Sequence, residues 1–359
     1  MQTSELTREG ARVLSVCNAC RYCEQYCPAF QAMEQRLTFA TADLNYLANL
    51  CHGCGECLYA CQYAPPHAFA INVPQTFAQL RVQSYEQYAW PAALGAAFRY
   101  QGVTTALLLA ATMIALLLAA TFALNGSALS EPGAGADFYA VVPHGVMVAV
   151  FGGVGLFVLL ALAIGAARCI RELKSMPASA TQHGAGAALR DALTLNHLHV
   201  AGSDCVTGPE VRTPWRRRLH HSTFYGFALC FASTCVATLY HLAGTPAPYA
   251  YTSLPVLLGT AGGAALAIGT AGLLLQRRSR DPALSDATNR DLDLSFIVLL
   301  LLTAVTGLLL LVLRHERAMG LLLVVHLGIV LALFLTLPYG KFVHGLYRGI
   351  ALLHYRREH

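Results

Sequence analysis

The chain has 359 residues, 56% of them apolar and only 12% charged, and its mean hydropathy is +0.50. Soluble domains carry about a quarter charged residues, so the composition excludes a purely soluble protein and makes lipid the solvent of most of the chain. The net charge of +5 is small, and its positive residues gather in a few loops, which reads as membrane topology and argues against a nucleic-acid surface.

Residues 1–16, MQTSELTREGARVLSV, have no apolar core and no cleavage signature, so the N-terminus is expected to stay in the cytoplasm. Two copies of one spacing, C-x2-C-x2-C-x3-C, follow at Cys17, Cys20, Cys23 and Cys27 and at Cys51, Cys54, Cys57 and Cys61. Thiolates at that spacing hold cubane iron–sulfur clusters, and Pro28 follows the first copy as in bacterial two-cluster ferredoxins. In those ferredoxins the last cysteine of each run serves the other cluster. One [4Fe-4S] cluster is therefore expected on Cys17, Cys20, Cys23 and Cys61, and another on Cys51, Cys54, Cys57 and Cys27. Zinc sites use pairs of cysteines rather than runs of four, and a reducing compartment disfavours disulfides.

The 23 residues between Cys27 and Cys51 place apolar side chains at helical spacing without strand alternation. The expected fold is all-α: a helical two-cluster ferredoxin domain over residues 1–95, then a membrane domain over 96–359. His52 and His67 flank the second motif, and both are expected at the surface. Cys169, Cys205, Cys230 and Cys235 have no partner spacing and read as packing residues.

A helix needs about 20 apolar residues to cross hydrocarbon. Six segments qualify, at about 103–124, 144–167, 222–242, 254–275, 292–313 and 319–338, and their interiors lack Asp, Glu, Lys and Arg. Lys and Arg collect between spans two and three and between spans four and five, while the loops after spans one and three have none. Cytoplasmic loops collect such residues, so both termini are predicted on the cytoplasmic side of a multi-pass protein in the bacterial cytoplasmic (inner) membrane. Loop 168–219 is rich in Ala, Gly, Ser and Pro from 175 to 188, which suggests a partly flexible linker within a cytoplasmic docking surface. Gly259, Gly263, Gly269 and Gly272 in span four fit close helix packing.

Histidines at membrane depth are costly and mark function. His326 and His344 stand 18 residues apart, five helical turns or about 27 Å, on one face. Span three offers His220 and His221 at its cytoplasmic start and His241 at its outer end. An antiparallel pair of these spans would bind one or two b-type haems through His221, His241, His326 and His344. Helical phase leaves the inner ligand open between His220 and His221, and His144 competes with His241 outside.

The strings CHGCGECLYACQYAPPHAFAINVP, LHHSTFYGF and LTLPYGKFVHGLYR, with six spans in this order, resemble the tricarballylate/citrate utilisation protein B family over nearly the whole chain. The resemblance implies a membrane electron-transfer partner for a soluble FAD-dependent tricarballylate dehydrogenase. On that reading the protein reoxidises the flavin through its iron–sulfur clusters and delivers electrons to membrane quinone. More loosely, the membrane half resembles the diheme cytochrome b subunit of nitrate reductase through its His-x17-His, with Phe231 where that pattern has a second histidine. Three other readings are a different dehydrogenase donor, a redox sensor, and a tricarboxylate transporter. Transport is disfavoured because the span interiors offer no cation to a triply charged acid.

Overall fold

The computed structural model describes residues 3–129, 137–176, 184–198 and 215–358. Among these the chain is all-helical, without a strand. The first five helices are α1 (Thr3–Cys20), α2 (Pro28–Glu34), α3 (Thr41–Leu50), α4 (Glu56–Tyr59) and α5 (Val73–Tyr88). Local chemistry sets their starts. Pro28 opens α2 where its missing N–H costs nothing, and the Asn72 side chain accepts from the Gln75 N–H at 3.1 Å to cap α5. Leu14, Phe30, Met33, Leu44, Leu47, Phe77 and Leu80 then form a shared apolar core.

The remaining helices are α6 (Ala92–Asn125), α7 (Phe138–Val141), α8 (His144–Lys174), α9 (Ala185–Thr194), α10 (Trp215–Leu242), α11 (Leu254–Arg277), α12 (Ala287–Val312), α13 (Met319–Thr336) and α14 (Val343–Glu358). Six contain segments long and apolar enough to cross a membrane: Gly102–Leu124 in α6, and α8, α10, α11, α12 and α13. Their number and order match the sequence expectation. Their ends do not always stop with the apolar stretch: α8 continues to Lys174 and α10 begins at Trp215. Backbone hydrogen bonds continue outside lipid, and the protruding turns find partners there. Arg168 donates to the Ala89 carbonyl at 2.7 Å, and Glu172 accepts from Asn45 at 2.9 Å and from the Tyr88 hydroxyl.

The cysteine-bearing helices and the bundle meet through α5, which packs against α1 and α3 on one side and α6, α8 and α12 on the other. One apolar core continues across this joint, from Tyr85 and Tyr88 to Cys169, Leu173, Tyr347 and Leu352. The C-terminal helix α14 lies on the same end of the bundle. It is held by Arg36, which reaches Glu358 at 2.6 Å and Asp43 at 2.7 Å.

The expectation of a docking surface in loop 168–219 changes in part. Its helix α9 folds onto α14, where Arg356 donates to Asp191 at 3.1 Å. Residues 177–183 of the expected linker, and Cys205, lie outside the described residues. Of the other lone cysteines, Cys169 is buried, Cys230 half-buried and Cys235 exposed.

Candidate functional site

The eight motif cysteines frame two adjacent cavities. Cys17, Cys20, Cys23 and Cys61 line one, and Cys27, Cys51, Cys54 and Cys57 the other. Sequence position alone would group Cys27 with the first run. Instead the chain leaves Cys23, turns into α2 at Cys27, and delivers that thiol to the second cavity. The short helix α4 then carries the chain back so that Cys61 faces Cys17 and Cys23. Phe30, Cys57 and Val73 line both cavities, so a single layer of side chains separates them.

Burial, then the crowding of neighbouring thiols, pushes Cys17 and Cys23 up to about 12. Cys57 is raised for the same reasons. Thiols so placed become thiolates only when a metal replaces their protons. The described His, Cys, Asp and Glu side chains form no group of three suited to one metal ion. Four thiols spread around a cavity wall suit a multi-atom cluster better than a lone zinc, whose ligands must sit about 2.0–2.3 Å from one point. The donor set therefore fits an iron–sulfur cluster in each cavity.

The surroundings of the two cavities differ. The first opens beside the exposed Tyr22, and Gln62 lies 3.9 Å from the Cys20 sulfur. The second is roofed by the segment between α8 and α10: His197, just after α9, sets its ring 5.6 Å from that of His52. Burial, then the Arg348 charge, holds His52 neutral, well below its ordinary value. An exposed position was expected for both flanking histidines; His67 is exposed, while His52 is covered by His197. His197 carried no sequence signal, because its approach to His52 is made across about 145 residues.

Beneath the second cavity the histidines of the membrane domain appear. His220 and His344 face each other with ring centres 6.0 Å apart and planes inclined at 75°. The His344 Nδ1 lies 2.5 Å from the Lys341 carbonyl. It must donate there, which leaves Nε2 as a bare lone pair. Two imidazoles on opposite sides of one metal, with bonds of about 2.0–2.1 Å, have ring centres roughly 6 Å apart. The pair fits bis-histidine ligation. His221 turns aside toward Tyr225, with ring centres 5.7 Å apart.

The opposite end of the bundle, expected to be the outer one, is assembled differently from the expectation. His241 stacks on His144 at 3.9 Å, with Tyr139 against both. Two rings that close leave no room for an iron between them. His326 bonds Thr306 at 2.8 Å, and the Thr306 hydroxyl itself donates to the Leu302 carbonyl at 2.6 Å. The expected outer pairing of His241 with His326 gives way to His241 on His144, because α10 packs on α11 whereas α13 packs on α6, α8 and α12.

A six-helix membrane bundle carrying a cysteine-framed, ferredoxin-type domain defines a membrane-anchored iron–sulfur protein. More narrowly, the chain belongs to the citrate utilization protein B family. Residues 100–359 match the citrate utilization protein B model and residues 10–94 its Fer4-like domain. A relative from Escherichia coli, called citrate utilization protein B, is 50% identical over 357 residues, covering 99% of this chain and 93% of the relative. No solved structure matches the chain.

Proposed function

We propose that this protein reoxidises the flavin of a soluble FAD-dependent dehydrogenase of tricarballylate or a related tricarboxylate, and hands the electrons singly to membrane quinone. Two [4Fe-4S] clusters and one b-type haem would supply one-electron chemistry when bound. Cys17, Cys20, Cys23 and Cys61 would hold the entrance cluster, and Cys27, Cys51, Cys54 and Cys57 the inner one. His220 and His344 would hold the haem, with the Lys341 carbonyl fixing the tautomer of His344. The Lys- and Arg-rich end of the bundle, where both the cysteine domain and α14 lie, would face the cytoplasm of a bacterial inner membrane.

The observation that carries this reading is the alignment of the sites. An open thiol-lined cavity shares a wall with a buried one, and Arg348 links the second cavity to the histidine pair at the edge of the bundle. A transporter or a single-cluster sensor has no use for that series. The test is steady-state quinone reduction by detergent-purified protein with its flavoprotein and tricarballylate. Cys54→Ser should abolish turnover while leaving membrane insertion intact. Full activity in that variant would defeat the proposal.

A further inference from the structure

Beside the second thiol cavity the chain gathers four arginines from four separate elements onto two backbone carbonyls, those of Cys51 and Gly53. Arg81 of α5 donates to the Cys51 carbonyl at 3.0 Å, and Arg348 of α14 donates to the same oxygen at 2.9 Å. Arg280, in the turn after α11, and Arg216, in the first turn of α10, both donate to the Gly53 carbonyl, at 3.0 and 3.2 Å. Gly53 has φ +61, and a side chain there would approach Arg81 and Arg280 at 3.7 and 3.8 Å. The left-handed turn is what calls for glycine there; the guanidiniums would stand at ordinary contact distance from a side chain.

Arg81 is only 6% exposed. Arg81, Arg280 and Arg348 direct their bonds to carbonyls, and the Nε of each is buried without a partner among the described residues. Of the carboxylates around this group, Asp293 is engaged by Lys341 at 2.6 Å, and Glu56 lines the cavity beside Cys54, one negative charge against four arginines. Buried cations need a compensating negative charge. The carbonyls they clasp belong to the loop that carries Cys51 and Cys54, so an anionic thiolate-bound cluster would provide it. The first cavity lacks such a cage. Its motif contains Arg21 and Glu24, both exposed, where water and salt screen them.

We infer that Arg81, Arg216, Arg280 and Arg348 form a cation cage that raises the reduction potential of the inner cluster above that of the entrance cluster, giving electron flow its inward direction. Net charge, hydrogen bonding and solvent exposure set the potential of such clusters. The cage changes the first of these at one cluster and leaves the other as it is. This inference rests on the two-cluster reading above. It adds that the membrane domain, which supplies three of the four arginines, tunes the ferredoxin domain.

The experiment is an anaerobic, EPR-monitored redox titration of the full detergent-purified protein and of Arg280→Gln, Arg348→Gln and Arg348→Lys. Arg280 lies in a half-buried turn, so its variant tests the charge where folding is least at risk. In each Gln variant the reduced fraction of the inner cluster, at fixed ambient potential, should fall about tenfold relative to oxidised, a shift of about 59 mV for one electron. The entrance cluster should stay in place, and Arg348→Lys should recover most of the loss. Inner-cluster midpoints unmoved in both Gln variants would overturn the inference, as would a Lys variant no better than Gln. Absence of cluster signals from the unaltered protein would instead overturn the reading beneath it and this inference with it.

Discussion

At the scale of the single residue, the histidines divide by what their ring nitrogens are doing. His344 gives its Nδ1 proton to the Lys341 carbonyl and sets its ring 6.0 Å from that of His220, whereas the ring of His221 packs against Tyr225. On the proposed haem ligation, replacing His344 or His220 by Leu should remove b-type haem absorption from purified protein. His221→Leu should keep it. Full haem content in His220→Leu would assign the inner ligand to His221 instead. Lys341 itself is drawn down to about 8, by burial against the pull of Asp293. Helical phase left His220 and His221 both open, because 20 or 21 residues of ideal helix resolve a face only to within tens of degrees. The contact with α14 makes the choice.

At the scale of the element, two interfaces carry most of the placement. Helices α10 and α11 meet through glycine: a Cβ at Gly262 would lie 2.8 Å from the Cys230 nitrogen, and one at Gly226 would lie 2.6 Å from the Leu266 nitrogen. In lipid no hydrophobic force holds two helices together, so such close backbone packing supplies the attraction. Gly262→Leu should part α10 from α11 and move His220 off its partner, lowering haem per polypeptide by roughly half or more. Haem content at the unaltered level would show that the packing tolerates the side chain.

The second interface is α14 on the cysteine domain. Arg36 and Glu358 form a pair with side chains 8% and 5% exposed, and breaking a buried pair of this kind costs about 3–5 kcal/mol. Glu358→Gln should lower the thermal midpoint of the cysteine domain. Burial alone would raise the Glu358 carboxyl, but bonds from His354, Arg36 and Tyr46 hold it below its ordinary value. A lowered folded pKa means that this stabilisation is present above the ordinary carboxylate range and is lost as pH falls through the lowered value. Hydrogen exchange along α14 should accelerate as the medium is acidified into that range; exchange independent of pH, once the intrinsic rate is removed, would rule the carboxyl out.

At the scale of the whole molecule, the cysteine domain and the bundle are one body. Helix α5 shows why the sequence does not announce this. Its residues read as polar, yet Thr76, Arg81, Gln83 and Ser84 are all buried in the packing of the joint. Ser84 accepts from Asn49 at 2.9 Å, and Arg81 reaches the loop of the second motif. The helical fold, the six spans and the cysteine spacing were legible beforehand because each rests on a local signal: apolar length against the thickness of a bilayer, period against helix pitch, thiol spacing against a cluster. His197 over His52, four arginines on Cys51 and Gly53, and His220 opposite His344 had no such signal. They come from elements dozens to hundreds of residues apart, and only close packing around one shared core decides which of the many polar residues on those elements meet.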